Sequence, residues 1–239
     1  MAPRKLLFGL ALACLAQAAG AGSLSVSPIR VNLSEAAPTA ALTVENTGNA
    51  PIVAQAQMLR WTAVGEEDRH EPSDEVVVTP PIMTIQPGRS QIVRVGLSRS
   101  ADPQRELAYR LYLEEVPPPP RPGSQGLQVA LRVGVPLFVA PNGAAEPKLT
   151  WRIVQSSSQA VAVEATNAGN GHLRLLNLSL GAVDSERSLA RRQIPGYLLP
   201  GQSRRWIIPL KEPLSAERVR LSADSDRGAA NVELDVERP

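Results

Sequence analysis

Residues 127–141 read LQVALRVGVPLFVAP, and their reading decides the fold. Leu127, Val129, Leu131, Val133 and Val135 all fall on one parity. Side chains alternate along a β-strand, so the five share one face. Pro136 has no N–H to give to a ladder, and proline in a sheet is confined to edges, strand ends and bulges. The stretch is therefore predicted to be a strand with one free side, entered from the proline-rich run PPPPRPGSQG. A long apolar edge is an aggregation hazard. A protein that keeps one uses it, by adding its strand to another chain's sheet.

The sequence upstream continues the same pattern. SLSVSPIRVNL, AALTVENTG, APIVAQAQMLRWTAV, VVVTPPIMTIQPG, SQIVRVGLS and ELAYRLYLEEV read as strands separated by Pro, Gly, Asn and Asp clusters. With the edge strand they make about seven strands and no long amphipathic helix, the pattern of an immunoglobulin-like sandwich. After PNGAAEP the pattern restarts with WRIVQ, QAVAVEATN, HLRLLNLSLGA, YLLPGQSRRWIIPL, ERVRLSA and NVELDVE. The chain is thus predicted to be all-β, with two immunoglobulin-like β-sandwich domains. The divisions fall at residues 1–21, 22–142 and 143–239, the last boundary lying where turn-forming residues replace periodic ones. Aromatic content is only 3%, so both cores are built mainly from Val, Leu, Ile and Ala.

Residues 1–21 form a secretory signal peptide by their pattern: Arg4 and Lys5, an apolar run over 6–16, and small residues in AQAAGAG. No later run reaches the roughly 18 apolar residues of a transmembrane helix, and no membrane insertion is predicted. The single cysteine, Cys14, lies inside the signal, which leaves the mature chain without disulfide or thiol chemistry. Setting Arg4 and Lys5 aside lowers the 25 basic residues to 23, equal to the 23 acidic ones. A neutral chain argues against nucleic-acid binding by general electrostatics.

Catalytic and metal chemistry find little material. His70 stands alone in GEEDRHEPSDE, read as a solvated hairpin tip, and His172 in NAGNGHLRLL is read as closing a turn. The sequence Gly88-Arg89-Ser90 lacks the second glycine of a nucleophile elbow, and two histidines are scant stock for a triad. No enzyme activity, cofactor or metal is predicted. A rival reading, a secreted two-domain β-sandwich adhesin or carbohydrate-binding protein, would show clustered Trp and Tyr, whereas Trp61, Trp151 and Trp206 are scattered.

The order and spacing of six pieces carry a family resemblance: SPIRV, VENTGNAPIVAQ, TPPIMTIQPGRSQIVRV, ELAYRLYLEEVP, LQVALRVGVPLFVAP and VEATNAGNGHLRLLNLSL. The chain resembles the periplasmic pilus (fimbrial) assembly chaperones of the chaperone–usher pathway, and its YR, EEVP and VPLFV forms are most similar to the archaic, non-classical branch. The resemblance implies a boomerang of two immunoglobulin-like domains in the periplasm. Its partners would be pilus subunits lacking their last strand, and an outer-membrane usher that receives them. Leu127, Val129, Leu131, Val133 and Val135 would fill the subunit groove as knobs, and the free edge would self-associate weakly or exchange its amides quickly.

Arg30, in SPIRV, matches the family's cleft residue for the subunit's C-terminal carboxylate, a task suited to the planar, permanently charged guanidinium. Classical members add a lysine on the last strand of the first domain. Here that place falls to Pro136, which offers neither charge nor N–H. A second cation is therefore expected nearby. Arg110 is chosen because its strand should pair with the donor strand and its parity is opposite to Tyr109, Leu111 and Leu113; Arg132 is the weaker competitor. Thr79-Pro80-Pro81 marks a family-like kink whose peptide isomer the sequence leaves open.

Overall fold

The computed structural model describes residues 24–64, 66–119, 129–157, 159–183, 188–214 and 217–236. The expected signal segment 1–21 and Leu127 lie outside them. All regular structure among the described residues is β. The first sandwich holds β1 (Leu24–Ser27), β2 (Val31–Leu33), β3 (Thr39–Asn46), β4 (Ile52–Val64), β5 (Glu67–Pro72), β6 (Val76–Thr79), β7 (Ile82–Ile85), β8 (Ser90–Leu97), β9 (Leu107–Glu115) and β10 (Arg132–Val139). One sheet runs β1-β3-β8-β6 and the other β2-β10-β9-β4-β5, with β7 also on β4. The second sandwich holds β11 (Leu149–Ser156), β12 (Ala160–Asn167), β13 (Leu173–Ala182), β14 (Ser188–Leu198), β15 (Ser203–Pro209), β16 (Arg218–Ser225) and β17 (Gly228–Asp235). Its sheets run β11-β12-β15 and β14-β13-β16-β17.

Alternation sets which face is buried. On β4, Ile52, Ala54, Ala56 and Met58 point inward while Val53, Gln55 and Gln57 face out. On β9, Tyr109, Leu111 and Leu113 are fully buried in the same core, with Val31, Leu33, Val93 and Leu137. The Tyr109 hydroxyl finds its partner at the core's end, donating to Glu75 at 2.8 Å. Burial opposes ionisation of Glu75, but the Tyr109 and Arg99 hydrogen bonds and the Arg60 charge outweigh it and hold the carboxyl below its usual range.

Two expected single strands are each divided between sheets. SLSVSPIRVNL becomes β1 on β3 and β2 on β10, and VVVTPPIMTI becomes β6 on β8 and β7 on β4. Cis peptides sit at both crossings, Ser27–Pro28 and Thr79–Pro80. Proline ends a ladder by lacking its donor, which lets the chain leave one sheet for the other. In the second sandwich YLLPGQSRRWIIPL also divides, between β14 and β15, at Gly201, whose φ of 75° an L side chain rarely adopts.

Each sandwich is closed by the same asparagine. Asn46 is fully buried; its Nδ2 donates to the carbonyls of Ala50 and Ile85, and its Oδ1 accepts from Gly48. Its main chain exchanges two bonds with the Pro87-Gly88-Arg89 turn, Asn46 N–H to Arg89 O and Gly88 N–H to Asn46 O. Asn167 repeats this: Nδ2 to Gly171 and Leu198 carbonyls, Oδ1 from Gly169, and main-chain bonds to Gln202 and Gly201 of Pro200-Gly201-Gln202. Two matching stretches, Asn46-Thr47-Gly48-Asn49 with Pro87-Gly88 and Asn167-Ala168-Gly169-Asn170 with Pro200-Gly201, thus build one device, in which a single side chain satisfies several backbone groups.

Candidate functional site

The edge predicted at 127–141 is real but shorter. Strand β10 begins at Arg132, although Glu115 N–H still donates to Leu131 O at 2.8 Å. One side of β10 pairs with β9 along its whole length. The other pairs, in parallel, with β2 only over Leu137–Val139. Among the described residues no strand lies beside Arg132–Pro136 on that side. Val129 is 68% exposed, Leu131 and Val133 are half-buried, and Val133 touches the sandwich core. Val135 departs from its expected role as an offered knob. It is only 2% exposed, packed in its own sandwich's core, because it lies opposite the fully buried Leu111 of β9 on the inward parity it shares with Leu137 and Val139.

The outer face of this sheet carries the cations. Pro136 pairs with Arg110 and Arg110 with Leu59. Arg30 immediately precedes Val31, the partner of Leu137, so continuing that register by one residue puts Arg30, Pro136 and Arg110 in one row. With strands spaced about 4.8 Å apart, the two arginine Cα atoms stand about 10 Å apart with Pro136 between them. The Arg110 guanidinium lies 4.2 Å over the Trp61 ring, and its buried Nε has no hydrogen-bond partner. Arg132 lies 3.9 Å over the Tyr112 ring and 3.5 Å from the Glu114 carboxylate. Gly134 makes room for this layer, since a Cβ there would meet the Tyr112 ring at 3.1 Å and Arg110 Cδ at 3.3 Å.

His70 is not a solvated tip. It sits in β5 opposite Trp61, with its ring 5.8 Å from the indole and 5.9 Å from Tyr112. Burial, helped by the Arg110 and Arg132 charges and only partly offset by Asp68, pushes its pKa below the ordinary imidazole value. The sequence misled because GEEDRHEPSDE is polar at nearly every position, with no alternation to mark a strand.

Where this face meets the second sandwich, Trp61, Ala108 and Phe138 pack with Leu199 and Tyr197. Phe138 stacks on His172 at 3.5 Å between centroids. His172 also does more than close a turn: its Nδ1 lies 2.6 Å from Glu106 Oε1, which accepts the His172 N–H as well, and both side chains are buried. At one flank Asp68 pairs with Arg204 at 2.5 Å and accepts from Gln202. Burial opposes ionisation of Asp68, yet Arg204 and Gln202 outweigh it and hold the carboxyl low. At the other flank Arg30 Nη1 donates to Asp226 Oδ2 at 2.9 Å, from the turn between β16 and β17. These two line a cavity of about 280 Å³ with Asn32, Phe138, His172 and Arg227. The register showed Arg110; nothing in the sequence pointed to Asp226, 196 residues from Arg30.

No group of three His, Cys, Asp or Glu able to hold a metal occurs among the described residues, and no helix there is long and apolar enough to cross a membrane. Trp61 is buried, and Trp151 and Trp206 lie together, 6.2 Å apart, packed on the second core rather than scattered. A carbohydrate platform of exposed tryptophans is not formed by these three.

Comparison with known proteins agrees with this architecture. The profile of the pili and flagellar-assembly chaperones, PapD N-terminal domain, matches residues 23–145, about half of the chain. Chaperone protein FimB/FhaD of Bordetella pertussis is 33% identical over 150 residues, covering 58% of this chain and 59% of that protein. An uncharacterized fimbrial chaperone of Escherichia coli, YhcA, is 24% identical over 136 residues, 57% and 58% of the two chains. These alignments thus span less than two thirds of either relative. Among solved structures, the chaperone–tip adhesion subunit complex of the archaic Csu pili of Acinetobacter baumannii is similar at a TM-score of 0.67 and 19% identity, over 89% of this chain and 98% of that one. The E. coli chaperone DraB is similar at 0.58 and 22%, over 91% and 97%. At these identities the structures show the fold, two immunoglobulin-like sandwiches, and the profile shows the kinship: the chain belongs to the family of pili and flagellar-assembly chaperones.

Proposed function

We propose that the chain is a periplasmic chaperone that binds, folds and caps pilus subunits by donor-strand complementation and passes them to an outer-membrane usher, after removal of residues 1–21 as a signal peptide. The observation that carries this reading is the half-covered edge of β10, which among the described residues is open beside Arg132–Pro136 and closed by β2 beyond it. An incoming strand laid on the open part is collinear with β2 and meets Arg30 at its end. If its terminal carboxylate sits between Arg30 and Arg110, the strand runs parallel to β10, as β2 does. Main-chain bonds then fix its register, and apolar side chains before β10 enter the subunit's groove.

Leu127, Val129 and Leu131 are the knobs of this proposal, with Val133 at the rim and Val135 as the internal root of the strand. Full burial of a Val or Leu contributes roughly 1.5–3 kcal/mol, so Val129 and Leu131 alone supply on the order of 5 kcal/mol before ordering costs. No nucleotide or bond-making chemistry is required. The test is subunit recovery with three variants. Arg30→Ala and Arg110→Ala each lower it strongly, since charge-assisted hydrogen bonds contribute roughly 1.5–3 kcal/mol; Arg132→Ala lowers it slightly. Wild-type recovery with Arg110→Ala removes that residue from the site, and the same result for Arg30→Ala removes the carboxylate site altogether.

A further inference from the structure

The Arg30 guanidinium is already engaged in the free chain. Asp226 Oδ2 accepts from Arg30 Nη1 at 2.9 Å, while Asp226 Oδ1 accepts the Arg174 N–H at 3.1 Å. The second contact anchors the carboxylate to the second sandwich independently of Arg30. The neighbouring Arg227 directs its guanidinium to the Ala145 carbonyl at 3.0 Å. The Arg30 and Asp226 side chains are 40% and 24% exposed, so the pair is open to an exchanging ligand from the cavity they line.

We propose that Asp226 is a resident carboxylate of the cleft, a stand-in that the terminal carboxylate of a bound chain displaces from Arg30. The inference rests on the reading that Arg30 receives that terminus. Capture then swaps one carboxylate for another, and release restores the first. Arg30 is never left as an unpaired charge between the sandwiches, a state that costs more as a site dries. Asp226, still held by the Arg174 amide, returns without rebuilding its turn. The hold on the partner is the difference between two similar ion pairs, which suits a chaperone that must give its cargo up. Asp226 therefore acts as a positioning residue that sets how strongly the cleft prefers a charged terminus over a neutral one.

The experiment uses the full mature chain and two probes: an acetylated peptide of alternating valine and threonine ending in a free carboxylate, and the same peptide ending in an amide. Both are titrated by NMR while the main-chain amides of β10 are followed in every variant, together with the side-chain Nε–H of Arg30 wherever Arg30 is kept. The wild type prefers the acid. Asp226→Asn raises the acid-over-amide preference about fivefold, the upper range for a partly exposed ion pair, and leaves amide binding unchanged. Asp226→Ser, which keeps an acceptor for the Arg174 N–H, does the same and guards against a folding defect in the first variant. Arg30→Ala brings the preference to unity in every background. If the wild type prefers the acid and Arg30→Ala abolishes this, yet both Asp226 variants leave the ratio unchanged, the stand-in role is wrong and the carboxylate site survives. A ratio of unity, or no binding of either peptide, in wild type and Asp226 variants alike overturns the carboxylate site and the stand-in with it.

Discussion

Glutamate placed at Val129 and at Val135, six residues apart on one parity, should give opposite defects. Val129 is 68% exposed in the free chain, so Val129→Glu changes unfolding stability by no more than about 0.5 kcal/mol, as for most surface substitutions. In a complex the same side chain would lie in an apolar groove. The loss of its burial, roughly 1.5–3 kcal/mol, adds to a desolvation cost of a few kcal/mol for the carboxylate. A total of at least about 4 kcal/mol weakens capture about a thousandfold, at 1.4 kcal/mol per factor of ten. Val135, 2% exposed inside the core, is the control: Val135→Glu buries an unpaired charge and costs more than about 4 kcal/mol of folding stability, a large share of a domain's usual 5–15. Leu131→Glu, at a half-buried position, loses capture and a smaller part of its stability. Thermal unfolding of each free variant and co-purification of pilus subunits read out the two effects. Wild-type capture by Val129→Glu would show that the donor strand begins later than proposed, and a stable Val135→Glu would refute its place in the core.

Three further outcomes test the scaffold. Gly169→Ala should prevent the second sandwich from folding properly, because its Cβ would lie 2.2 Å from the Glu146 carbonyl oxygen and 2.5 Å from the Lys148 nitrogen, backbone atoms that cannot step aside; native stability by calorimetry would contradict this. Asn46→Ala removes the side chain bonded to Ala50, Ile85 and Gly48 and should lower stability by about 3 kcal/mol or more, at roughly 1–3 for each of the three backbone groups left unpaired, with the loss in urea unfolding confined to the first sandwich. Acid should loosen the fold in two stages. The His70 pKa is lowered in the folded state, so the unfolded chain takes its proton first, near its ordinary 6.5, and stability declines as pH falls below that value; the lowered Asp68 and Glu75 carboxyls add a second loss as pH passes down through their folded values. Melting temperature against pH follows both stages, and an unaltered first decline in His70→Gln would exclude His70 as its source.

The sequence made the strands legible where alternation is strong. On β4 and β9 the inward set is the one parity predicts, and Arg110 takes the outer face as its position against Tyr109 and Leu111 required. Legibility failed where neighbours in space decide the outcome. Phe138 has the outward parity of Pro136 yet is 1% exposed, because the second sandwich covers it. His70 and His172 look like loop residues along the chain and become ring partners only when β5 reaches Trp61 and when Glu106 reaches across between the sandwiches. Asp226 could not be seen at all, since an acid in the turn Asp224-Ser225-Asp226-Arg227 has no local signal that it meets the first strand pair.

The twin asparagine closures bear on how such a chain can be rearranged. Among the described residues, Asn46 bonds within the first sandwich and Asn167 within the second, so each half carries its own means of shutting its fold. What the halves must match is the set of contacts they share, which includes Arg30 with Asp226, Asp68 with Arg204, Glu106 with His172, Arg105 with the Pro200 carbonyl, Asn170 with the Gln104 carbonyl, and the packing around Phe138. Recombination between relatives through the segment 141–147 would leave both closures intact and bring only that joint into conflict. A lineage can therefore trade whole halves; under the donor-strand and stand-in proposals, it would keep the strand donor, replace the half that supplies the resident carboxylate, and retune release of cargo without redesigning its capture.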